Sequence, residues 1–221
     1  MNNMNKMFWQ REWQAFLMLV VTAGLMAWTW NRIPHLVPVH WNIHGEVDRY
    51  GGRFEALTVL PLIALGVTVF TLAVERLGQA RNATAMRVIR LATALLALCF
   101  TAQHALGWEP LRAVLVGVGL QLTLMGNIMG KVQPSWWMGF RTPWTYLSKR
   151  AWYKSQRRSG LFLVAFGILS ILLGLGVPTA WMIPWVMPLG FLVGLGVVFG
   201  WLVFCSYIDY RHDPQPERVV L

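Results

Sequence analysis

The histidines of this chain are concentrated in one segment, NRIPHLVPVHWNIHGEVDRYGGRFE, residues 31–55. Three of the five lie there, followed closely by Glu46 and Asp48. Imidazole nitrogen and carboxylate oxygen are ordinary zinc ligands. The metal-ligand candidates are His40, His44 and Asp48. Their spacing matches no compact metal motif, however, and we favour the alternative that the His and Asn side chains bond turn backbone and face the lumen of the helix bundle.

A second distinctive segment is KVQPSWWMGFRTPWTYLSKRAWYKSQRR, residues 131–158. It carries seven of the nineteen Lys and Arg residues and four of the thirteen tryptophans, and it contains no Asp or Glu. Lys and Arg are retained on the cytoplasmic side of a membrane, while Trp favours the headgroup zone. The segment is therefore typical of a cytoplasmic loop. Within it, Arg141 could bind a phosphate or carboxylate, or cap the carbonyl end of a helix.

The rest of the chain predicts the elements that position these two segments. It is 56% hydrophobic and 13% charged, against roughly one quarter charged in soluble proteins. The stretches without Asp, Glu, Lys or Arg are 13–31, 56–74, 91–108, 113–130 and 159–208. A bilayer core needs about 20 helical residues, so the last stretch divides into two helices near GVPTAWMIP. We predict an all-α, polytopic membrane protein with six transmembrane helices.

The distribution of basic residues predicts the orientation. With six spans, fifteen Lys and Arg residues lie on the side of the two termini and four on the other side. The positive-inside rule then places both termini in the cytoplasm, residues 31–55 outside and residues 131–158 inside. The formal net charge of +10 does not indicate nucleic-acid binding, because the basic residues lie between apolar spans rather than on one soluble face.

A short interfacial helix is predicted between spans four and five. Thr142 suits an N-cap and Pro143 the first helical position. Helical spacing then places Trp144, Leu147, Ala151 and Trp152 on one side, facing lipid, and Arg150, Lys154 and Arg157 mostly on the other. The surface either anchors the chain to the membrane or binds a partner. Small and polar residues suit close helix contacts in span four, at Gly117, Gly119, Gln121, Gly126 and Asn127. The same holds in the last two spans, at Gly174, Gly176, Gly190, Gly194, Gly196 and Gly200, where the spacing serves either intrachain packing or self-association through span six.

These residues also resemble a known family. The signature of the SdpI family, bacterial integral membrane proteins named for an immunity protein, is matched by Asn127, Gly130, Lys131, Gly139, Arg141, Thr142, Pro143, Trp144, Thr145 and Trp152. The domain of unknown function that usually begins these proteins is matched by Pro38, His40, Asn42, Gly45 and Asp48. Ser135 and the pair Ser155-Gln156 depart from the pattern, which commonly has Asn and Thr-His there. These two groups are the candidate binding residues.

The resemblance implies an immunity function. A family member protects a bacterium against a secreted peptide toxin, and the founding member also holds a transcriptional repressor at the membrane. The expected partners are membrane lipids, a peptide toxin outside and a repressor inside, with no cofactor. Residues 1–110 would form an amino-terminal membrane domain and residues 111–221 the SdpI-like domain.

The alternative is a membrane enzyme or transporter acting on a lipid or envelope precursor. His40, Asp48 and Arg141 would supply its polar groups, with a metal held by the outer-loop histidines. Intramembrane ionisable residues usually mark transport paths, and the uncharged stretches nearly lack them. No catalytic motif is recognisable, so we favour a non-enzymatic protein.

Overall fold

The chain folds, in a computed structural model, into a bundle of long helices with one small hairpin. The structure describes residues 2–42, 46–76, 82–136, 138–178 and 186–220. Six helices in these ranges are long and apolar enough to cross a membrane, which confirms the predicted fold class. The helices are α1 (Asn2–Trp30), α2 (Arg53–Arg76), α3 (Ala83–Leu106), α4 (Pro110–Met129), α5 (Pro143–Leu147), α6 (Lys149–Gly176) and α7 (Val186–Arg211).

Successive long helices run in opposite directions, so the connections alternate between two ends of the bundle. We call the end that carries residues 31–52 and 107–109 the hairpin end. The other, called the motif end, carries residues 130–148 and the carboxyl-terminal residues 212–220. The predicted division of the last apolar stretch is confirmed, because α6 ends at Gly176 and α7 begins at Val186. Pro184, Trp181 and Trp185, expected at that break, lie outside the described residues.

Glycines bring α4 and α6 into backbone contact. A Cβ atom on Gly126 would lie 2.7 Å from the carbonyl oxygen of Gly160, and one on Gly119 would lie 2.7 Å from that of Gly167. Gly119 and Gly126 are seven residues apart in α4, as are Gly160 and Gly167 in α6. Seven residues are about two helical turns, so both glycines of each helix lie on the same face. Ser170 adds an interhelical hydrogen bond of 2.7 Å to Leu115 O. The predicted close contacts of span four are confirmed at Gly119 and Gly126, and also at Gly117, where a Cβ atom would lie 3.0 Å from Leu96 Cδ1 of α3.

The glycines of α7 behave differently. Within the described part of the chain, no atom outside the helix's own backbone lies within 4 Å of a Cβ placed on Gly190, Gly196 or Gly200. These residues therefore do not bring α7 close to another described helix of the same chain. Of the two alternatives for these glycines, close intrachain contact is wrong, and self-association through span six stays a prediction. Asn127, expected to join helices through its amide, has an exposed side chain.

The segment between α1 and α2 forms an antiparallel hairpin of β1 (Leu36–Trp41) and β2 (Val47–Gly52). The sequence favours this extended, turning course, because Pro34 and Pro38 disfavour helix and Gly51 and Gly52 are typical of turns. Val37 anchors the hairpin, because it is buried in a cluster with Ile33 and Leu57. An isolated two-stranded hairpin is marginally stable in water, so this contact with α2 is what holds it.

Candidate functional site

The motif end is organised around Gln156, which lies in α6 with no exposed surface. Its Oε1 atom accepts a hydrogen bond of 2.8 Å from Phe140 N, and its Nε2 atom donates one of 2.8 Å to Phe140 O. The turn before Phe140 requires glycine, because Gly139 has φ 102° and a Cβ there would lie 2.9 Å from Gln156 Oε1. Gln156, where the chain departs from the family pattern, therefore holds the turn at Gly139, Phe140 and Arg141, which match that pattern.

Helix α5 begins at a capping box, which confirms Thr142 as the predicted N-cap. Thr142 Oγ1 accepts from Thr145 N at 3.3 Å, and Thr145 Oγ1 accepts from Thr142 N at 3.0 Å. Pro143 follows at the first helical position, where its missing N–H is not needed. Thr142 also lies 3.1 Å from Ser206 of α7, hydroxyl to hydroxyl. The two threonines thus fix the start of α5 and join it to the last helix.

The predicted interfacial helix is confirmed as a helix at Pro143 but is wrong in length and facing. Helix α5 has five residues, because Ser148 takes an extended conformation and its hydroxyl accepts from Ala151 N, which caps α6. Ala151 and Trp152 therefore belong to α6 and have no exposed surface. Trp152 Nε1 donates to Val132 O at 3.1 Å. The predicted lipid-facing side is covered by protein there, since a buried indole needs both apolar neighbours and an acceptor.

Trp152 lies in a buried cluster that joins three parts of the motif end. The cluster contains Ala85 and Met86 of α3, Val132 and Met138 of the connecting loop, and Trp152 itself. Tyr146 of α5 packs on it, with its ring centroid 5.8 Å from that of Trp152. Trp144 points instead toward α7, where its ring centroid lies 5.3 Å from that of Tyr207.

The cations of the motif end remain largely on the surface. Side chains of Lys131, Arg141, Arg150 and Arg157 are exposed, as is Gly130 at the end of α4. Arg141 Nη1 donates to the carbonyl oxygen of Trp136, so it caps a carbonyl of its own loop. Lys131 lines a shallow cavity of about 240 Å³ beside the first turn of α3.

Two of the basic residues pair with α7. Asp209 is 6% exposed, and its Oδ1 atom lies 3.3 Å from Lys154 Nζ. Arg158 contacts both of its carboxylate oxygens. Lys154, expected among lipid phosphates, therefore binds a carboxylate of the protein.

At the hairpin end, His40 and Asp48 face each other across the two strands. His40 Nδ1 lies 2.6 Å from Asp48 Oδ1, and the side chains are 61% and 41% exposed. Asn42 and Glu46 close the hairpin, with Asn42 Nδ2 donating to Glu46 Oε2 at 2.9 Å and Glu46 N donating to Asn42 Oδ1 at 3.0 Å. Pro38 pairs with Tyr50 across the strands. Three of the five predicted hairpin residues thus take part in cross-strand hydrogen bonds.

In the ranges that the structure describes, no three His, Cys, Asp or Glu side chains lie close enough together to hold a metal ion. His44 and Gly45, the remaining predicted residues of the hairpin, lie outside the described residues.

The polar groups named for the alternative, a membrane enzyme or transporter, are His40, Asp48 and Arg141, and they are divided between the two ends of the bundle. Helices α2, α3 and α4 separate the hairpin from residues 130–148 along the chain. Three crossings place the two segments at opposite ends of the bundle. A single centre cannot use all three side chains, so the residues proposed for that enzyme or transporter do not form one site.

A buried ion cluster near the motif end was missed in the sequence. Arg90 has no exposed surface, and its guanidinium binds both carboxylate oxygens of Glu12, at 2.9 and 2.8 Å. Glu75 Oε1 and Thr71 Oγ1 accept from the same group at 3.0 and 3.2 Å. Glu12 and Arg90 directly precede uncharged stretches and Glu75 directly follows one, so they were placed in loops. That shared position at the edge of a span was the available signal.

Together these features define the class of protein: a multi-pass helical membrane protein. Its motif end has exposed cations on a loop and a short helix that buried hydrogen bonds hold in place. Residues 131–205 match the SdpI/YfhL protein family, and residues 17–65 match a domain of unknown function, DUF1648. The chain therefore carries the SdpI/YfhL family region behind a DUF1648 domain, which confirms the resemblance seen in the sequence. No curated protein and no solved structure matches the chain.

Proposed function

We propose that this chain is an immunity protein of the bacterial cytoplasmic membrane, which protects the cell against a secreted, membrane-active peptide toxin. The observation that carries the proposal is the match of residues 131–205 to a family that is named for an immunity protein. The proposed function is non-enzymatic and uses no metal. Protection would come from binding the peptide or from changing what the peptide does in the bilayer.

The proposed orientation gives each end of the bundle a role. The excess of Lys and Arg at the motif end supports a cytoplasmic position for that end and for both termini. The hairpin would then meet the toxin outside the cell. The hairpin and the first turn of α2 offer exposed apolar and aromatic side chains for a peptide. Leu36 is 65% and Tyr50 58% exposed in the hairpin, and Phe54 of α2 is 64% exposed.

The motif end would meet membrane phosphates and a cytosolic protein. Exposed Arg141, Arg150 and Arg157 give it positive charge, and Trp136 is 71% exposed. A cationic, tryptophan-bearing surface suits both anionic lipid and an acidic protein surface. We propose that it can hold a transcriptional repressor at the membrane. Coupling to the toxin requires that the toxin and the repressor each prefer the same one of two helix arrangements.

A gene disruption tests the proposal. Cells that lack the gene should lose viability and membrane potential when challenged with the membrane-active peptide, and the wild-type gene should restore both. His40→Ala should restore less, because it removes the cross-strand contact with Asp48. The matched control is His35→Ala, since His35 is exposed and lies before β1. Unchanged survival and unchanged potential after disruption would refute the proposed function.

The non-enzymatic, metal-free part has a separate test. Purified protein should contain no stoichiometric zinc by elemental analysis. One zinc ion per chain that disappears in the His40→Ala variant would contradict it and would favour a metal-dependent activity.

A further inference from the structure

Residues 213–220, which we call the tail, lie across the junction between α5 and α6. Lys149 N donates to Glu217 O at 2.9 Å, and Val219 N donates to Tyr146 O at 3.0 Å. A helix junction leaves such main-chain groups unpaired, because the last carbonyls of one helix and the first N–H groups of the next have no partner within either helix. The extended tail supplies these partners, much as an added β-strand would.

Side chains give this contact its chemical selectivity. Lys149 Nζ lies 2.7 Å from Glu217 Oε1, and Ser148 donates a hydrogen bond to Asp213. Val219 packs on the buried cluster around Trp152. Two acidic side chains and one branched apolar side chain thus meet a segment that contains no Asp or Glu. One ion pair, one hydroxyl–carboxylate hydrogen bond and one apolar contact thus join the tail to the junction along seven residues.

The tail is nevertheless held at the surface. The side chain of Glu217 is 72% exposed, and between residues 214 and 220 only Val219 is partly buried. Exposed ion pairs contribute little to stability, and a surface segment with so little buried side-chain area opens readily. A segment with the same chemistry can therefore replace the tail.

We propose that residues 146–149, with the adjoining apolar cluster, form a docking site for an extended peptide segment of a cytosolic protein. That segment carries an acidic residue two positions before a branched apolar residue, as Glu217 precedes Val219. The tail occupies the site until the partner displaces it. This inference rests on the proposed function and deepens it, because it names the chemistry by which a cytosolic partner would be recognised.

The probe for the test is a labelled synthetic peptide, DPQPERVV, with the sequence of residues 213–220. Fluorescence anisotropy measures its binding to the purified full-length protein in lipid nanodiscs. Val219→Asp should release the tail by putting a charge against the apolar cluster. If the tail of the wild-type protein leaves the site open about one-tenth of the time, its apparent affinity for the peptide is about tenfold below that of an open site. The Val219→Asp variant should therefore bind the peptide about tenfold more tightly than wild type. Gln215→Ala, an exposed change in the same tail, should bind it as wild type does.

Charge exchange identifies the site on the protein. In the Val219→Asp background, Lys149→Glu should lower the affinity for the peptide. A peptide with Lys in place of its Glu should bind this double variant with the affinity that was lost. That recovery also shows that the variant is folded. Arg76→Glu is the matched control, because it makes the same charge change at an exposed residue that ends α2, outside residues 146–149, and it should leave binding unchanged.

Two outcomes would overturn the inference: no peptide binding to the Val219→Asp variant, or equal binding to wild type and variant. Neither outcome involves the toxin. Cells protected by a protein that fails the peptide test would refute the docking site alone. A protein that passes it, in cells whose survival does not depend on the gene, would refute the proposed function alone.

Discussion

The guanidinium of Arg90 and the carboxylate of Glu12 form two parallel hydrogen bonds, of 2.9 and 2.8 Å, between residues 78 positions apart. Glu12 is 4% exposed and Arg90 has no exposed surface. Glu75 accepts from the same guanidinium, so one side chain of α3 joins both α1 and α2. Because a buried charge is costly without a partner, this arrangement fixes the first three helices relative to one another near the motif end.

Removal of one partner should therefore destabilise the protein strongly. We expect Glu12→Ala to lower the free energy of unfolding by on the order of 3 kcal/mol, because it leaves Arg90 with only Glu75 as a carboxylate partner. Unfolding in mixed micelles with increasing denaturing detergent measures this. Arg87→Ala is the control, since Arg87 Nε lies 4.0 Å from Glu12 and its side chain is partly exposed. Equal stability of the two variants would contradict a structural role for the buried pair.

The backbone contact between α4 and α6 predicts a second difference. Gly126→Ala places a methyl group against Gly160 O, which neither helix backbone can avoid without moving apart. We expect a loss of about 1–3 kcal/mol in the free energy of unfolding, typical of overpacked sites. Gly66→Ala in α2 makes the same chemical change where no other atom lies within 4 Å, among the described residues. If thermal unfolding shows the same midpoint for both variants, the helices do not approach as described.

The contacts of Gln156 with Phe140 predict a local effect. Gln156→Leu keeps the side-chain volume roughly constant but removes both hydrogen bonds, so the Phe140 amide should exchange its hydrogen with solvent more than tenfold faster. Hydrogen exchange followed by mass spectrometry reports this on peptides that cover residues 138–142. Ser155→Ala is the neighbouring control, because Ser155 Oγ is buried and finds no hydrogen-bond partner in the described structure. Equal exchange in both variants would show that Gln156 does not hold the turn.

The orientation proposed for the membrane can be measured by cysteine labelling. His40→Cys and Arg150→Cys are made separately in a chain whose native Cys99 and Cys205 are replaced by Ala. A membrane-impermeant maleimide added to intact cells should label position 40 and should label position 150 only after permeabilisation. Both side chains are exposed in the structure, so burial does not limit either reaction. Labelling of position 150 alone in intact cells would invert the orientation.

Much of the fold could be predicted from local sequence. Transferring charged groups into hydrocarbon is costly, so long uncharged stretches identified six spans without knowledge of their neighbours. The start of α5 at Thr142 and Pro143 was equally predictable, because capping depends on residues three positions apart. Prolines and turn glycines indicate that residues 31–55 are extended and then turn, but the pairing of β1 with β2 is seen only in the structure. The two groups of family residues were recognisable because each lies in one short continuous segment.

Long-range contacts decided the rest. Trp152 has helical spacing that suits a lipid-facing surface, yet Val132 and Met86 cover it, which no local periodicity can show. Arg90 was placed in a loop because its partner Glu12 is distant in the chain. Likewise the tail contacts Lys149 because α6 begins, and α7 ends, at the same end of the bundle. Sequence alone determined which segments enter the membrane, since the cost of burying charge is local; the tertiary structure determined which polar groups could be buried, since that depends on partners brought together only by folding.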